Sequence, residues 1–192
     1  MEKLRDALNK ARADRAQTVA QAAPVPVPED DGGGAPWSDL TQAEPDIQYM
    51  TRHRVVSHAF SRDSASFDVL RTKVVLQMRK HGWKRLAITS ATPVCGKTTV
   101  TCNMAMGLAR QSELRTVVMD LDLRNPSMAQ MLGLTPPRDI SRLLEENVSF
   151  AEQGLRIRDT VALSLAKTRT PDPTRLLLGQ SAESALARIE TD

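Results

Sequence analysis

A loop between an apolar run and a helical pattern constrains this chain most. The apolar run is Leu86-Ala87-Ile88, and residues 91–98 read Ala-Thr-Pro-Val-Cys-Gly-Lys-Thr. The loop matches the pattern G-x-x-x-x-G-K-[ST], except that Ala91 stands in the first glycine position. A strand before and a helix after such a loop let backbone N–H groups and the positive helix end hold an anion. The sequence therefore predicts a loop that binds the phosphates of a nucleotide.

The residue types of this loop predict individual roles. Pro93 has no N–H, so the donors are expected to be the amides of residues 94–98. Lys97 should reach the β- and γ-phosphates and act in catalysis, and the Thr98 hydroxyl should bind Mg²⁺. The predicted nucleotide-binding set is Pro93, Val94, Cys95, Gly96, Lys97, Thr98, Thr99 and, from the motif described next, Arg124.

A second acidic motif follows about 20 residues later, where Val117-Val118-Met119 leads into Asp120-Leu121-Asp122-Leu123-Arg124. Alternation places Asp120 and Asp122 on the same side of a strand end, and this end faces the ligand crevice in open α/β sheets. Two carboxylates there suit Mg²⁺ or its waters, and one could accept a proton from an attacking hydroxyl. We therefore predict Asp120 and Asp122 as catalytic and metal-binding residues, and Arg124 as a phosphate contact or an aspartate partner.

The order of the remaining segments predicts an α/β fold with a parallel sheet flanked by helices. Residues 1–22 read as a polar helix and residues 23–46 as a disordered Pro/Gly/acidic linker, so the folded domain is predicted over 47–192. Within it, the patterns predict strands at 86–88, 116–121 and 161–165. Helices are predicted at 64–80, 97–110, from Asn125-Pro126 to Gly133, from Asp139 to about 146, and from Asp172 onward.

Composition narrows the classes of function. The net charge of +3 is too small to argue for nucleic acid, and no nucleic-acid partner is expected. The two cysteines, Cys95 and Cys102, have neither zinc-site nor disulfide-framework spacing, which fits a reducing cytoplasm. The sequence contains no apolar run near 18 residues, so no transmembrane segment is expected.

Taken together, the motifs resemble those of the bacterial tyrosine kinases of the CpsD/CapB or Wzc type, which govern capsule and exopolysaccharide synthesis. The resemblance rests on the loop with Asn103-Met104-Ala105 downstream, on Asp120-x-Asp122-x-Arg124-x-Pro126, and on the segment 171–177, Pro-Asp-Pro-Thr-Arg-Leu-Leu. It implies a P-loop NTPase fold of the SIMIBI class, of the MinD/ParA type, with ATP and Mg²⁺ as cofactors. It also implies tyrosine autophosphorylation, homo-oligomers, and docking to a membrane-embedded chain-length regulator or copolymerase at the cytoplasmic side of the inner membrane.

The sequence departs from this family at several points. The family usually has Gly-Glu where Val94-Cys95 stand, and only Arg71 remains of its Glu-x-x-Arg-x-x-Arg helix motif. Tyr49 is the single tyrosine, and no third motif of apolar strand plus aspartate follows, so the domain is expected to be incomplete at the C-terminus. Two alternatives therefore stay open. One is a nucleotide-binding adaptor of a polysaccharide exporter without kinase activity, and the other is a MinD/ParA-like partition ATPase, although Thr92 stands where that class has a second lysine.

Overall fold

The computed structural model describes residues 37–191, with side chains to residue 189. The predicted N-terminal helix and the first part of the predicted linker lie outside this range. Helices and strands are interspersed along the described chain. After a 3₁₀ turn at Trp37–Asp39, they are β1 (Thr41–Gln42), α1 (Ile47–Arg52), α2 (Ala65–His81), α3 (Lys97–Leu108), β2 (Thr116–Met119), α4 (Met128–Leu132), α5 (Ile140–Leu144), α6 (Phe150–Gln153), β3 (Leu155–Ile157), β4 (Val161–Ser164), α7 (Pro173–Leu177) and α8 (Gln180–Thr191).

The four described strands form one sheet in the order β1-β3-β4-β2. β2 runs parallel to β4, with Val117 opposite Ala162, and β1 runs parallel to β3. β3 and β4 are antiparallel and are joined by a tight turn in which Arg158 has φ 53°. The α/β fold is confirmed, but the all-parallel prediction is wrong for this pair. The sequence patterns had missed β3, whose three residues are too few for a clear periodicity.

The folded region begins before residue 47, so the predicted linker is wrong in its last part. β1 pairs with β3, Ala43 N–H donates to the Arg156 carbonyl at 2.8 Å, and Leu40 is buried. Two residues of strand give no readable alternation, and the neighbouring prolines and acids dominated the composition of the segment. A short apolar anchor therefore brings this stretch into the sheet.

The run Leu86-Ala87-Ile88 is not a strand among the described residues, which corrects the prediction for the segment before the loop. None of the four strands pairs with it, and Leu86 is 50% exposed. A strand exists only where a neighbouring backbone accepts and donates its hydrogen bonds. Apolar sequence alone therefore did not make this segment part of the sheet.

Helix ends follow the capping residues for the most part. Gly82 and Gly133 end α2 and α4 at φ 65°, a left-handed conformation that suits glycine. Asp139 caps α5 by accepting a hydrogen bond from Ser141 N–H. Ser127 is the N-cap of α4, so the predicted start at Asn125-Pro126 is wrong.

Helix α3, which follows the loop, is held on its buried face by polar contacts. Two side chains of α2 hold the end of α3 and the residues just after it: Arg71 donates to the Gly107 carbonyl at 2.8 Å, and Asp68 pairs with Arg110. Asn103 is fully buried and ties α3 to residues 54–57. The helix that carries the loop is therefore fixed to the rest of the fold along its length.

Candidate nucleotide-binding site

The phosphate loop lies at the surface and leads directly into α3. Gly96 is the N-cap of α3 and has φ 85°, and Lys97 is the first residue of the helix. Val94 has φ 60°, which is a rare conformation for a β-branched residue, and its side chain is fully exposed. The loop thus has the turned backbone that presents N–H groups outward at a helix start.

The Lys97 ammonium group is held over the loop by a residue that precedes it. Its Nζ donates to Ser90 Oγ at 3.2 Å, and Ser90 Oγ in turn donates to the Thr92 carbonyl at 2.7 Å. This contact folds the lysine side chain back across the loop. A positive charge therefore stands beside the backbone donors, as the binding of a phosphate chain requires.

A chain of contacts through Ser127 joins the loop to the acidic motif. Ser127 Oγ donates to Thr98 Oγ1 at 3.2 Å and makes no capping bond to its own helix. The next residue, Met128, donates its N–H to Asp120 Oδ2 at 3.2 Å. The two-residue segment Ser127-Met128 therefore contacts both Thr98 and Asp120. These two residues are predicted to bind metal from two separate motifs.

Burial sets the electrostatics of Asp120, which is only 4% exposed. Loss of solvent raises the pKa of its carboxyl group, and hydrogen bonds from the N–H groups of Met128 and Asp122 partly oppose this change. Asp122 is half-buried and accepts from Asn125 N–H at 3.1 Å. A cation arriving beside Asp120 would stabilise the charged carboxylate that burial disfavours.

The oxygen donors at this position suit Mg²⁺ that is shared with a nucleotide. The Thr98 hydroxyl and the carboxylates of Asp120 and Asp122 are hard oxygen ligands, and Mg²⁺ commonly takes one or two carboxylates, with phosphate and water completing its shell. Within residues 37–191, no group of three acidic, histidine or cysteine side chains could hold a metal without such help. The site therefore fits a metal that arrives with phosphate, and Thr98, Asp120 and Asp122 would hold it.

Cys95 has an electrostatic setting unlike that of the second cysteine. The Thr92 hydroxyl, then that of Ser90, lowers the pKa of the exposed Cys95 thiol, and Lys97 adds to the effect. Burial instead raises the pKa of Cys102 to about 12. Exposure and a lowered pKa both favour thiolate chemistry at Cys95 over Cys102.

The predicted residues fall into two groups in the structure. One group lies close together and consists of Lys97, Thr98, Asp120 and their link Ser127. The other group lies on the exposed rim of the loop and consists of Pro93, Val94 and Cys95. Thr99 follows in the first turn of α3, and Asp122 stands beside Asp120. Arg124 is exposed and has no ion-pair partner among residues 37–189. Its predicted role stays a prediction.

Sequence reasoning missed three polar residues that arrange this site: Ser90, Asn103 and Ser127. The only sequence signal at Ser127 is that serine is a common N-cap residue, but its hydroxyl makes no cap bond and donates instead to Thr98, a contact that depends on the folded chain. Asn103 was noticed only as part of a motif. A buried asparagine in an apolar helix must satisfy its amide, which it does with four backbone groups.

Comparisons with known proteins identify the fold that carries this site. The ParA family model, described as a NUBPL iron-transfer P-loop NTPase, matches residues 83–158. Among solved structures, the chimerical protein CapA2B2 superimposes with a TM-score of 0.58 at 18% identity, over 79% of this chain and 66% of that one. The BceF tyrosine kinase domain gives a TM-score of 0.59 at 20% identity, over 80% of this chain and 66% of that one. The search of curated proteins found no match.

These results establish the fold. The chain has a P-loop NTPase-like fold that it shares with the BceF tyrosine kinase domain, and its segment 83–158 is similar to the ParA family, which confirms the predicted resemblance at the level of the fold. The matched segment 83–158 contains the phosphate loop and the acidic motif together. The chain spans slightly less than two thirds of each solved structure, 66% of its length. No helix within the described part is long and apolar enough to cross a bilayer.

Proposed function

We propose that this protein is an ATP-dependent protein-tyrosine kinase that regulates capsule or exopolysaccharide synthesis. The observation that carries the proposal is the link from Thr98 through Ser127 and Met128 to Asp120, which sets the phosphate loop beside the acidic motif. A nucleotide held by the loop would place its outer phosphates near these carboxylates. One of the solved neighbours, BceF, is a tyrosine kinase domain, which supports tyrosine as the acceptor.

In the proposed reaction, a tyrosine hydroxyl attacks the γ-phosphorus of ATP, the bond from that phosphorus to the β–γ bridging oxygen breaks, and ADP leaves. Lys97 neutralises charge on the β- and γ-phosphates. Thr98 would help to hold Mg²⁺, which would supply further positive charge to the transferring phosphate. Asp120 or Asp122 accepts the phenolic proton. Positioning and charge stabilisation account for most of the rate in such transfers, and both are properties of this loop.

The proposal includes a place and partners for the enzyme. We propose that it acts at the cytoplasmic face of the inner membrane, held there by a membrane-embedded chain-length regulator or copolymerase, and as a homo-oligomer. Arg71 does not supply the contact between copies, because it is buried and donates to the Gly107 carbonyl inside its own chain. An interface would therefore use other residues of α2.

A second candidate is a nucleotide-binding adaptor that regulates an exporter without transferring phosphate. It is favoured by the placement of Tyr49, the single tyrosine in the sequence, which packs against Gly133 at the end of α4 that is remote from Ser127. A MinD/ParA-like partition ATPase is a third candidate. The residue after Ala91 is Thr92 and not lysine, which disfavours it.

The test uses the complete protein with its membrane partner and ATP labelled at the γ-phosphate. Phosphotyrosine should form, and Lys97→Ala should abolish it while lowering nucleotide affinity at least about tenfold, because a charge-assisted hydrogen bond contributes about 1.5–3 kcal/mol. The matched control is Lys84→Ala, since Lys84 is exposed and precedes the loop.

The outcomes separate the candidates. Nucleotide binding that requires Lys97, with no phosphotyrosine, would establish the adaptor. Hydrolysis of ATP without transfer would favour the partition ATPase. A chain that binds no nucleotide would contradict all three.

A further inference from the structure

Helix α2 carries apolar side chains on two faces. Val75 packs against the core of the fold, whereas Val69 and Leu76 are each 55% exposed. A surface helix normally places polar residues on the face that points away from the core. Packing within the described chain therefore does not explain the apolar residues on the outer face of α2.

The exposed apolar residues of α2 alternate with lysines along one line. Val69, Lys73, Leu76 and Lys80 follow one another at steps of four, three and four residues, and all four are exposed. Residues at these steps lie on the same side of a helix. They extend over about 16 Å of the helix axis. We call these four residues the α2 stripe.

A groove of about 210 Å³ adjoins the α2 stripe, because Lys73 belongs to both. The apolar part of its lining consists of Val74, Met78, Trp83 and Leu86. The Trp83 ring is stacked on that of His81, with the ring centroids 4.6 Å apart, and more than half of its side chain remains exposed. The stack holds the indole at the surface, and the groove leaves room for apolar atoms of a ligand beside the lysine.

The charge around the α2 stripe has one sign. The sequence from residue 69 to residue 112 contains no aspartate or glutamate. The acids that flank this range lie beside other cations: Asp68 pairs with Arg71 and Arg110, and Glu113 is 4.0 Å from Arg79. The two lysines of the stripe therefore lie on a positive surface, which is complementary to an anionic one.

An anionic lipid surface fits these residues better than a protein does. Lysine is depleted from protein interfaces, whereas lysines near exposed aliphatic and tryptophan side chains suit the headgroup region of an anionic membrane. A second copy in symmetric contact would place Lys73 and Lys80 against the same lysines, and these like charges repel each other. Contacts between copies would instead use the flank of α2 that carries Thr72 and Arg79, both of which are exposed.

We propose that the α2 stripe and its groove dock this protein directly on an anionic lipid bilayer. Lys73 and Lys80 contact the phosphates of the headgroups, and Trp83 lies at the level of those headgroups. The inference extends the proposed membrane location, but it requires neither kinase activity nor the proposed protein partner. Vesicle binding in the absence of nucleotide therefore tests it separately from the proposed function.

The experiment measures sedimentation of the full chain with two kinds of vesicle: phosphatidylglycerol and phosphatidylcholine in equal parts, and phosphatidylcholine alone. The wild type should bind the anionic vesicles and not the neutral ones, and binding should weaken between about 0.05 M and about 0.5 M salt, because salt screens the charges. Replacing both lysines, Lys73→Ala with Lys80→Ala, should weaken binding about 10- to 30-fold, since each lysine near such a surface contributes about fivefold. Trp83→Ala should weaken it severalfold at every salt concentration, because the indole contributes without a charge.

The matched control is Lys167→Ala with Arg169→Ala, which removes the same charge at two exposed positions outside the α2 stripe. It should bind both kinds of vesicle as the wild type does. The lysines of the stripe are exposed, so their replacement should leave the circular dichroism spectrum and the nucleotide affinity in solution unchanged. Should Trp83→Ala unfold, the lysine variant decides.

Three results would overturn the proposal: no binding to anionic vesicles, equal binding to both kinds of vesicle, or an equal loss in the control variant. If the wild type ignores vesicles and the lysine variant loses its membrane-embedded partner or changes its oligomeric state, the α2 stripe is a protein interface and the lipid proposal is wrong. Nucleotide binding through Lys97 would stand in each of these cases.

Discussion

The centre of the sheet and the segment that enters the phosphate loop have similar apolar sequences and opposite environments. Val161, Ala162, Leu163 and Ser164 of β4 are all fully buried between β2 and β3. In the segment 83–95, Trp83 is 59% exposed, Leu86 is 50% exposed and Val94 is fully exposed. The candidate nucleotide-binding site therefore lies beside the exposed segment, whereas β4 lies in the packed core.

This difference shows that the two regions are stabilised in different ways. β4 gains from burial and from hydrogen bonds on both edges, so its order comes from the described chain itself. The loop region is held by α3, which Asn103 and Gly107 fix to residues 54–57 and to Arg71. The phosphate loop therefore has a rigid helix behind it and an open backbone in front, where a ligand can reach the N–H groups.

The largest expected effect is on the free energy of unfolding, and it is tested by substituting one leucine from each region. Leu163→Ala should lower the free energy of unfolding by about 2–5 kcal/mol, because it removes buried methyl groups and leaves a cavity. Leu86→Ala should lower it by less than about 1 kcal/mol, since half of that side chain is already in water. Urea denaturation of both variants measures the difference.

Equal losses for the two variants would contradict the comparison. A loss at Leu86 as large as that at Leu163 would mean that residues 83–90 are packed in solution, for example against a further strand. Nucleotide binding provides a check, because neither leucine lies in the candidate site, and folded Leu86→Ala should keep wild-type affinity.

The next effect concerns strain in the loop. Val94 adopts φ 60°, which glycine tolerates without the cost of about 1–2 kcal/mol that an L-residue carries. Val94→Gly should therefore raise the free energy of unfolding by about 0.5–1 kcal/mol, after the greater chain entropy of glycine in the unfolded state is subtracted. Thermal or urea denaturation will measure the gain.

A second valine provides the control with the opposite sign. Val69 is exposed and lies in α2, where glycine lacks helix propensity, so Val69→Gly should destabilise by a few tenths of a kcal/mol or more. Destabilisation by Val94→Gly would show that the φ 60° conformation is not the one the loop keeps in solution.

Local signals in the sequence predicted the parts of the fold that depend on local physics. Helix α2 ends at Gly82 as predicted, Asp139 and Asp172 cap the helices that follow them, and the loop of Gly96 and Lys97 starts a helix. Each of these depends on backbone conformation or on a side-chain cap within a few residues. Such signals are legible in a single sequence.

The parts of the fold that depend on contacts between distant segments could not be predicted from the sequence. The run 86–88 has strand composition, but strand pairing is decided by another segment, and none of the described strands supplies it. β1 and the antiparallel β3 were missed for the same reason. The candidate site divides in the same way: the motifs predicted Lys97, Thr98 and Asp120, whereas the bridge through Ser127 exists only in the folded chain.

An effect of similar size, on nucleotide binding and not on folding, is expected from the residue that joins the two motifs. Ser127→Ala removes the hydrogen bond to Thr98 Oγ1, which orients that hydroxyl. A hydrogen bond of this kind contributes about 0.5–1.5 kcal/mol. We expect nucleotide affinity in Mg²⁺ to fall about two- to tenfold, and affinity without metal to stay unchanged. Titration calorimetry with and without Mg²⁺ measures both.

Ser149 offers a contrasting serine, since it caps α6 by accepting from Glu152 N–H and lies outside the candidate site. Ser149→Ala should cost stability of about 1 kcal/mol and leave nucleotide affinity unchanged. If Ser127→Ala instead behaves like Ser149→Ala, the serine is a structural cap and the bridge does not orient the metal site.

The smallest expected effect is the pH dependence of stability that comes from Asp120, the buried carboxylate that follows β2. Burial raises the pKa of its carboxyl group above the usual 3.8, so the folded state holds this proton more tightly than the unfolded state does. The associated stability is fully present below pH 3.8 and is lost as pH rises through the folded pKa. Asp120→Asn carries no such titration, so it should be more stable than the wild type at pH 7, with the advantage shrinking at acid pH.

Urea denaturation of the wild type and of Asp120→Asn, from pH 7 down to acid pH, measures whether the variant is more or less stable at each pH. If Asp120→Asn is less stable than the wild type at pH 7, the hydrogen bonds from the N–H groups of Met128 and Asp122 stabilise the charged carboxylate by more than burial destabilises it. The expected result instead shows a carboxylate kept at a cost to stability. That cost has a physical reason only if a cation binds beside it, so Mg²⁺ with nucleotide should stabilise the wild type more than Asp120→Asn.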